Sequence, residues 1–144
     1  MSSLHFSDYY LNELSYRKNP KFNPPNNTIN LEPTITANIE IEKDDNRGFV
    51  NLYVKHGELS DETAAFEVIV DIVGEFTYQL DESEFDISFE TFLKENALAI
   101  LWSYIRPMVS DLITRGNEFP NFILPVINVK QMLEENEDIL VKYK

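Results

Sequence analysis

Apolar and polar residues alternate along three segments of the chain, at 34–42, 49–56 and 63–78. A period of two places the apolar residues on one face of an extended strand, so each segment predicts a half-buried β-strand. Short polar turns connect the three segments, which favours an antiparallel meander. An aromatic-rich segment at 4–16 alternates more loosely and predicts one further strand at the start of the chain.

The longest of these segments, 63–78, has one face that is apolar throughout and a second face that is mixed. On the second face the acids Glu67 and Asp71 interleave with Ile69 and Val73. Large apolar residues on the expected solvent-facing side of a strand indicate that another polypeptide covers that side. A bound polypeptide and a neighbouring subunit would serve equally well.

From about residue 89 the apolar period changes from two to about 3.6, which predicts a long α-helix that ends near Arg115 and Gly116. Asn128 is placed to cap a final, shorter helix whose apolar side consists of Val129, Met132, Leu133, Leu140 and Tyr143. The long helix carries an apolar seam of the coiled-coil kind within a wider apolar surface. This predicts that the sheet covers one side of the helix and that the helix of a second subunit covers the other, with the seam assigned to the subunit interface. The seam consists of Leu98, Leu101, Ile105, Met108 and Leu112.

Residues 18–33 are rich in proline and asparagine and predict a long crossover loop. Phe22, Ile29 and Leu31 are apolar residues within this polar stretch. Such residues either pack onto the body of the protein beneath the loop or cover a groove. Both interpretations are compatible with the sequence.

The chain has 144 residues and a formal net charge of -13, from 25 acidic and 12 basic residues. This length predicts a single domain spanning 1–144. The negative field repels phosphate backbones, so no nucleic-acid partner is expected, and it attracts basic segments of other polypeptides. No apolar run approaches the roughly 20 residues of a membrane span, and the first residues lack a signal-peptide pattern. We therefore expect a cytoplasmic protein without membrane insertion.

Residues that would carry chemistry are sparse in this sequence. The absence of cysteine excludes thiolate metal sites and cysteine nucleophiles. His5 and His56 lie in separate strands, without the spacing of metal ligands. Glu67 and Asp71 would need burial in a cleft to act as a general acid and base, and nothing in the sequence indicates such burial. No catalytic residue, metal or cofactor is expected.

Several short motifs, in this order along the chain, resemble those of the SecB family of export chaperones. The similarity covers nearly the whole chain, and it is densest between residues 101 and 129. The matching pieces are ELSYRKNP at 13–20, EVIVDIVGEFTY at 67–78, SYIR at 103–106, RG at 115–116, FP at 119–120 and PVIN at 125–128.

The resemblance implies an α+β fold with a four-stranded antiparallel sheet packed against one long and one shorter C-terminal helix. It also implies that long helices pair between subunits and that the homo-oligomer is a dimer of dimers. Unfolded clients in this family lie in a groove formed by the crossover loop, the last helix and the sheet. The corresponding residues here are Phe22, Ile29, Leu31, Ile69, Val73, Val129, Met132 and Leu133.

The sequence departs from the family at the acids that dock the translocation motor SecA on the first and fourth strands. Glu13 keeps an acid on the first strand, but Arg17 stands where another is expected. Val68 or Ile69 falls where the fourth-strand acid belongs. The resemblance therefore implies the fold more directly than it implies SecA docking, for which Glu13 is the candidate residue.

The leading functional hypothesis is an ATP-independent holdase that binds unfolded or extended polypeptides, with protein export as one role. The alternative is a dedicated protein-interaction module on the same fold, such as an antitoxin guardian, without general chaperone activity. A third hypothesis, an enzyme with a buried carboxylate, requires a closed pocket that contains an acid with a raised pKa.

Overall fold

The computed structural model describes residues 3–23, 33–60, 64–79, 90–116 and 139–143. These residues form five β-strands and one long helix. The helix, α1, spans Leu98–Gly116 and continues a π-helical turn at Leu93–Ala97. The strands are β1 at Ser3–Lys18, β2 at Pro33–Glu42, β3 at Arg47–His56, β4 at Phe66–Gln79 and β5 at Ile139–Tyr143.

The strands form one mixed sheet in the order β1-β4-β3-β2-β5. Strands β1 to β4 pair antiparallel, and the predicted meander of β2, β3 and β4 is confirmed. β5 pairs in parallel with β2. The α+β class is therefore as predicted, but the sheet has a fifth, parallel strand that the sequence analysis did not include.

The prediction of a final helix with Leu140 and Tyr143 on its apolar side is wrong for residues 139–143. These residues form β5, which lies beside Ala37–Ile41 of β2. The segment is rich in β-branched and aromatic residues, which suit a strand, and β2 offers it backbone partners that are distant in sequence. Asn128, the predicted helix cap, lies outside the described residues.

The turns of the meander have local sequence causes. Asn46 follows the turn Lys43–Asp45 with a φ of 48°, in the left-handed region that asparagine tolerates. Arg47 then donates from Nη2 to Oε2 of Glu42 at 2.6 Å, across the ends of β2 and β3. Gly57, after β3, has a φ of 82°, and a Cβ there would lie 1.9 Å from a backbone oxygen of β4. Only glycine fits this position.

The core lies between α1 and the face of the sheet that it covers, which we call the inner face. Val68, Val70 and Ile72 of β4 point into it at alternate positions, as the period of two predicts. Gly74 of β4 allows close approach of the helix, since a Cβ there would lie 2.9 Å from a methyl carbon of Leu101. The fully buried side chains of α1 are Leu98, Leu101, Ile105, Val109 and Ile113.

A buried asparagine holds the chain where it leaves β1. The Asn19 side chain donates to the carbonyl of Ala64 at 2.8 Å and accepts from the backbone N–H of Lys21 at 3.0 Å. Its backbone N–H donates to the carbonyl of Ala65 at 3.1 Å. Asn19 therefore ties the end of β1 to the segment that precedes β4.

Replacement of Asn19 by alanine should lower the free energy of unfolding by about 1–3 kcal/mol, because it leaves buried backbone groups without their partner. Urea denaturation measures the change. Asn38→Ala is the matched control, since Asn38 is exposed and makes only a 3.4 Å contact with Asn51. The control should change stability by less than about 0.5 kcal/mol. Equal effects of the two substitutions would contradict the anchoring role.

His56 is fully buried at the end of β3, where its ring lies 5.9 Å from that of Phe66. Burial disfavours the charged imidazolium and lowers the pKa of His56 from 6.5 to about 4. Between pH 6.5 and about pH 4, His56 binds a proton in the unfolded chain but not in the folded chain. The folded state is therefore destabilised as the pH falls below about 6.5.

The His56 contribution should amount to a loss of about 2 kcal/mol of stability between pH 7 and pH 5. In His56→Phe this part of the pH dependence should disappear. In the exposed control His5→Gln it should remain. Denaturant titrations at both pH values test the prediction, and an unchanged slope in His56→Phe would rule it out.

Candidate functional site

The structure divides the predicted groove residues between the two sides of the sheet. Phe22 is half-buried and packs against the core on the inner face. Ile69 and Val73 alternate with the core residues of β4 and therefore lie on the opposite side, which we call the outer face. Ile69 is half-buried, and Val73 is 7% exposed. The predicted residues Ile29, Leu31, Val129, Met132 and Leu133 lie outside the described residues.

Two pairs of like charges lie directly opposite each other on the outer face, between β1 and β4. Glu13 of β1 is opposite Asp71 of β4, and Asp8 is opposite Glu75. Like charges in this arrangement are destabilising for the sheet. Two residues of β3 partly compensate: the side-chain amide of Asn51 donates to Oδ1 of Asp71, and Nη1 of Arg47 lies 3.6 Å from Oε1 of Glu75.

Tyr10 lies between the two acidic pairs and is 56% exposed. It is opposite Val73, so an aromatic ring and an aliphatic side chain occupy the centre of an acidic strip. We call the two acidic pairs together with Tyr10 and Val73 the acidic strip; its residues are Asp8, Tyr10, Glu13, Asp71, Val73 and Glu75. Its charge and its apolar centre suit a polypeptide segment that carries both basic and apolar side chains.

Sequence reasoning identified Glu13 but missed its cross-strand partner Asp71. Two residues of β1, Ser7 and Asn12, interrupt the regular pairing with β4 and shift its register. No local pattern in the sequence reveals these shifts. The position of Asp71 on the mixed face of β4 was the available signal.

A second apolar surface lies on the inner side of the sheet, where β1 extends beyond the cover of α1. Tyr9, Leu11 and Leu14 are opposite the core-side positions of β4, yet they are 41%, 37% and 44% exposed. Tyr104 of α1 lies beside them and is 36% exposed. We call these four residues the edge surface, and the sequence analysis assigned none of them to a site.

Aromatic contacts fix the position of the edge surface. Phe6 stacks on the core residue Phe76 with ring centroids 5.0 Å apart. Tyr104 meets Phe6 edge-on at 5.4 Å and Tyr9 edge-on at 5.2 Å. Rings in such geometries stabilise one another. The exposed tyrosines are therefore held by packing to the core.

An open groove of about 820 Å³ continues this surface along the outward side of α1. Tyr104, Pro107 and Met108 give it an apolar floor, and Asp111 gives it a negative charge. The other lining residues are Ser103, Ser110 and Thr114.

The structure corrects the predicted subunit interface at three positions. Leu98, Leu101 and Ile105 are 0% exposed, because they pack onto the sheet of their own chain. Met108 and Leu112 are half-buried and pack against the same core. The apolar seam was identified correctly, but the sheet covers most of it.

The described residues contain no group of three or more side chains arranged to hold a metal ion. Within the same residues, no helix is long and apolar enough to cross a membrane. Glu13 and Asp71 lie on a strand surface and not in a closed pocket.

Comparison with known proteins gives a fold and a family. A SecB-like chaperone of Mycobacterium tuberculosis, solved in complex with a ChAD peptide from the HigA1 antitoxin, is similar with a TM-score of 0.67 and 13% identity. The match covers 86% of this chain and 90% of that chain. A protein of unknown function from Streptococcus agalactiae matches at 13% identity with a TM-score of 0.46, over 87% of this chain and 98% of its own. No curated protein matches the sequence. The model of the family described as preprotein translocase subunit SecB matches residues 1–138, and the chain therefore belongs to the SecB family.

Proposed function

We propose that the protein is an ATP-independent holdase that binds unfolded or extended polypeptides in the cytoplasm, without catalysis. The observation that carries the proposal is the acidic strip, where the exposed Tyr10 and the aliphatic Val73 lie between two pairs of carboxylates. A folded surface that offers apolar contact inside a negative field binds apolar segments with basic residues. Membership of the SecB family supports this function.

Client binding is weak at each contact and gains from many contacts along an extended chain. Burial of apolar surface contributes about 25 cal/mol per Å² before ordering costs. Ile69 adds a half-buried aliphatic side chain to the outer face beside the acidic strip. A client segment can therefore lie along β4 with its apolar residues over Ile69 and Tyr10.

Wild-type protein should suppress the aggregation of chemically denatured citrate synthase at a stoichiometric ratio and without nucleotide, as measured by light scattering. Tyr10→Thr should weaken client binding by about fivefold, the effect of losing one exposed aromatic contact worth about 1 kcal/mol. His5→Thr is the matched control, because His5 is exposed on the same strand and face. Absence of protection by wild-type protein at severalfold excess would refute the holdase.

The runner-up function is a dedicated interaction module that serves one partner. The similar M. tuberculosis chaperone was solved with a peptide from an antitoxin, which supports a guardian role for this scaffold. One tightly co-purifying partner, together with indifference to denatured citrate synthase, would favour this function over the general holdase.

We further propose that the edge surface and the groove on α1 join subunits, first into dimers and then into a dimer of dimers. β1 is the last strand at its end of the described sheet, so its outer edge offers backbone N–H and C=O groups. Tyr9, Leu14 and Tyr104 add exposed apolar contact area next to this edge.

Wild-type protein at micromolar concentration should sediment as a multiple of its 16.8 kDa chain mass. Leu14→Lys should shift the distribution toward the monomer, because it places a charge in the apolar contact. Thr34→Lys, an exposed position on β2, is the control and should not change the mass. A monomeric wild-type protein would contradict the assembly.

For a role in protein export, we propose that the motor SecA docks on the acidic strip. Glu13 lies opposite Asp71, so the strip offers one acid on the first strand and one on the fourth. This arrangement supports Glu13 as the docking residue named from the sequence.

A further inference from the structure

We propose that the edge of β2 is a pairing site for an extended polypeptide segment and that β5 is the chain's own displaceable occupant of that site. This assignment rests on the polypeptide-holding function proposed above and adds a second contact for the client, at the edge of β2, to the contact along β4. The partner is an extended segment in which apolar residues alternate with basic ones.

β5 is the shortest strand of the described sheet. It pairs over five residues, whereas β2 and β3 pair over ten, from Pro33 to Glu42. Its pairing is parallel, which is slightly less stable per residue than antiparallel pairing. Leu140 is 52% exposed, Lys142 is exposed, and Val141 is only partly buried. A strand held by so few backbone pairs opens more readily than its longer neighbours.

The edge of β2 can accept a longer strand than β5. β5 covers only Ala37–Ile41, although β2 begins at Pro33. An extended client of about ten residues would pair along the whole edge and form hydrogen bonds beyond those of β5. Strand addition of this kind draws its affinity from main-chain hydrogen bonds and its specificity from alternate side chains.

The side chains around β5 define the chemistry of the partner. Val141 lies beside the buried Ile39, so the inward position takes an aliphatic residue. Lys142 lies beside Glu40, so the next, outward position takes a cation. Asn38 continues the polar outward side of β2. A segment of alternating valine and lysine reproduces this pattern.

A disulfide lock tests the displacement. The chain contains no cysteine, and Asn38 and Leu140 are exposed register partners. Neighbouring strands lie about 4.7–4.9 Å apart, within the Cα range of disulfides. The double variant Asn38→Cys, Leu140→Cys in the full-length chain should therefore hold β5 on β2 when oxidised. A fluorescein-labelled ten-residue peptide of alternating valine and lysine is the probe.

Fluorescence anisotropy should show at least tenfold weaker binding of this peptide to the oxidised variant than to the reduced one. Hydrogen exchange on wild-type protein should show that the peptide removes protection from the amides of 139–143 but not from those of β3. Equal binding by the oxidised and reduced forms, or unchanged protection of 139–143, would overturn the inference.

Charge reversal at Glu40 gives a test that does not depend on the lock. Glu40→Lys should weaken binding of the valine–lysine peptide severalfold and strengthen binding of a valine–glutamate peptide. An unchanged preference between the two peptides would count against the site. The citrate synthase assay separates the two proposals. If the protein suppresses aggregation but peptide binding is the same with and without the disulfide, the holdase stands and the β2 site is refuted. If peptide binding depends on the disulfide but the protein does not suppress aggregation, the β2 site stands and the holdase is refuted.

Discussion

The packing of α1 on the inner face of the sheet is the contact from which the other surfaces of the molecule follow. Leu101, Ile105 and Val109 are fully buried against the sheet, and Gly74 of β4 makes room for the helix at its closest approach. Because α1 uses one side for the core, its other side is left to solvent. That side carries Tyr104 and the groove beside it.

The two ends of the sheet are unlike in ways that suit different partners. β1 is long, has two register shifts and carries exposed large side chains held by an aromatic cluster. We propose this edge as part of the contact between subunits. β5 is short and parallel, its Leu140 and Lys142 are exposed, and it covers half of a longer strand. We propose this edge as the site of exchange with a client strand.

The effect of the chain's charge depends on where the charged residues lie in the fold. Arg47 lies near Glu42 and Glu75, and Lys55 near Glu58 and Glu67, so these cations reduce the negative field over β3. Between β1 and β4, Glu13 is opposite Asp71 and Asp8 is opposite Glu75. Part of the net charge of -13 is therefore concentrated in the acidic strip, beside exposed apolar residues. A strip of this kind accelerates encounter with basic segments.

The sequence by itself determined the strands of the meander, the first strand and the long helix, because periods of two and 3.6 are local properties of the chain. It also determined the absence of cysteine chemistry and the resemblance to the SecB family. The seam at Leu98, Leu101 and Ile105 revealed an apolar helix face, but spacing does not reveal what covers such a face.

Only the tertiary structure decided which surfaces cover one another. It placed the sheet over that seam, set Glu13 opposite Asp71 through the shifts at Ser7 and Asn12, and paired residues 139–143 with β2. Each of these outcomes depends on contacts between residues far apart in the chain. Their free energies come from the assembled sheet and are not encoded in any local window of sequence.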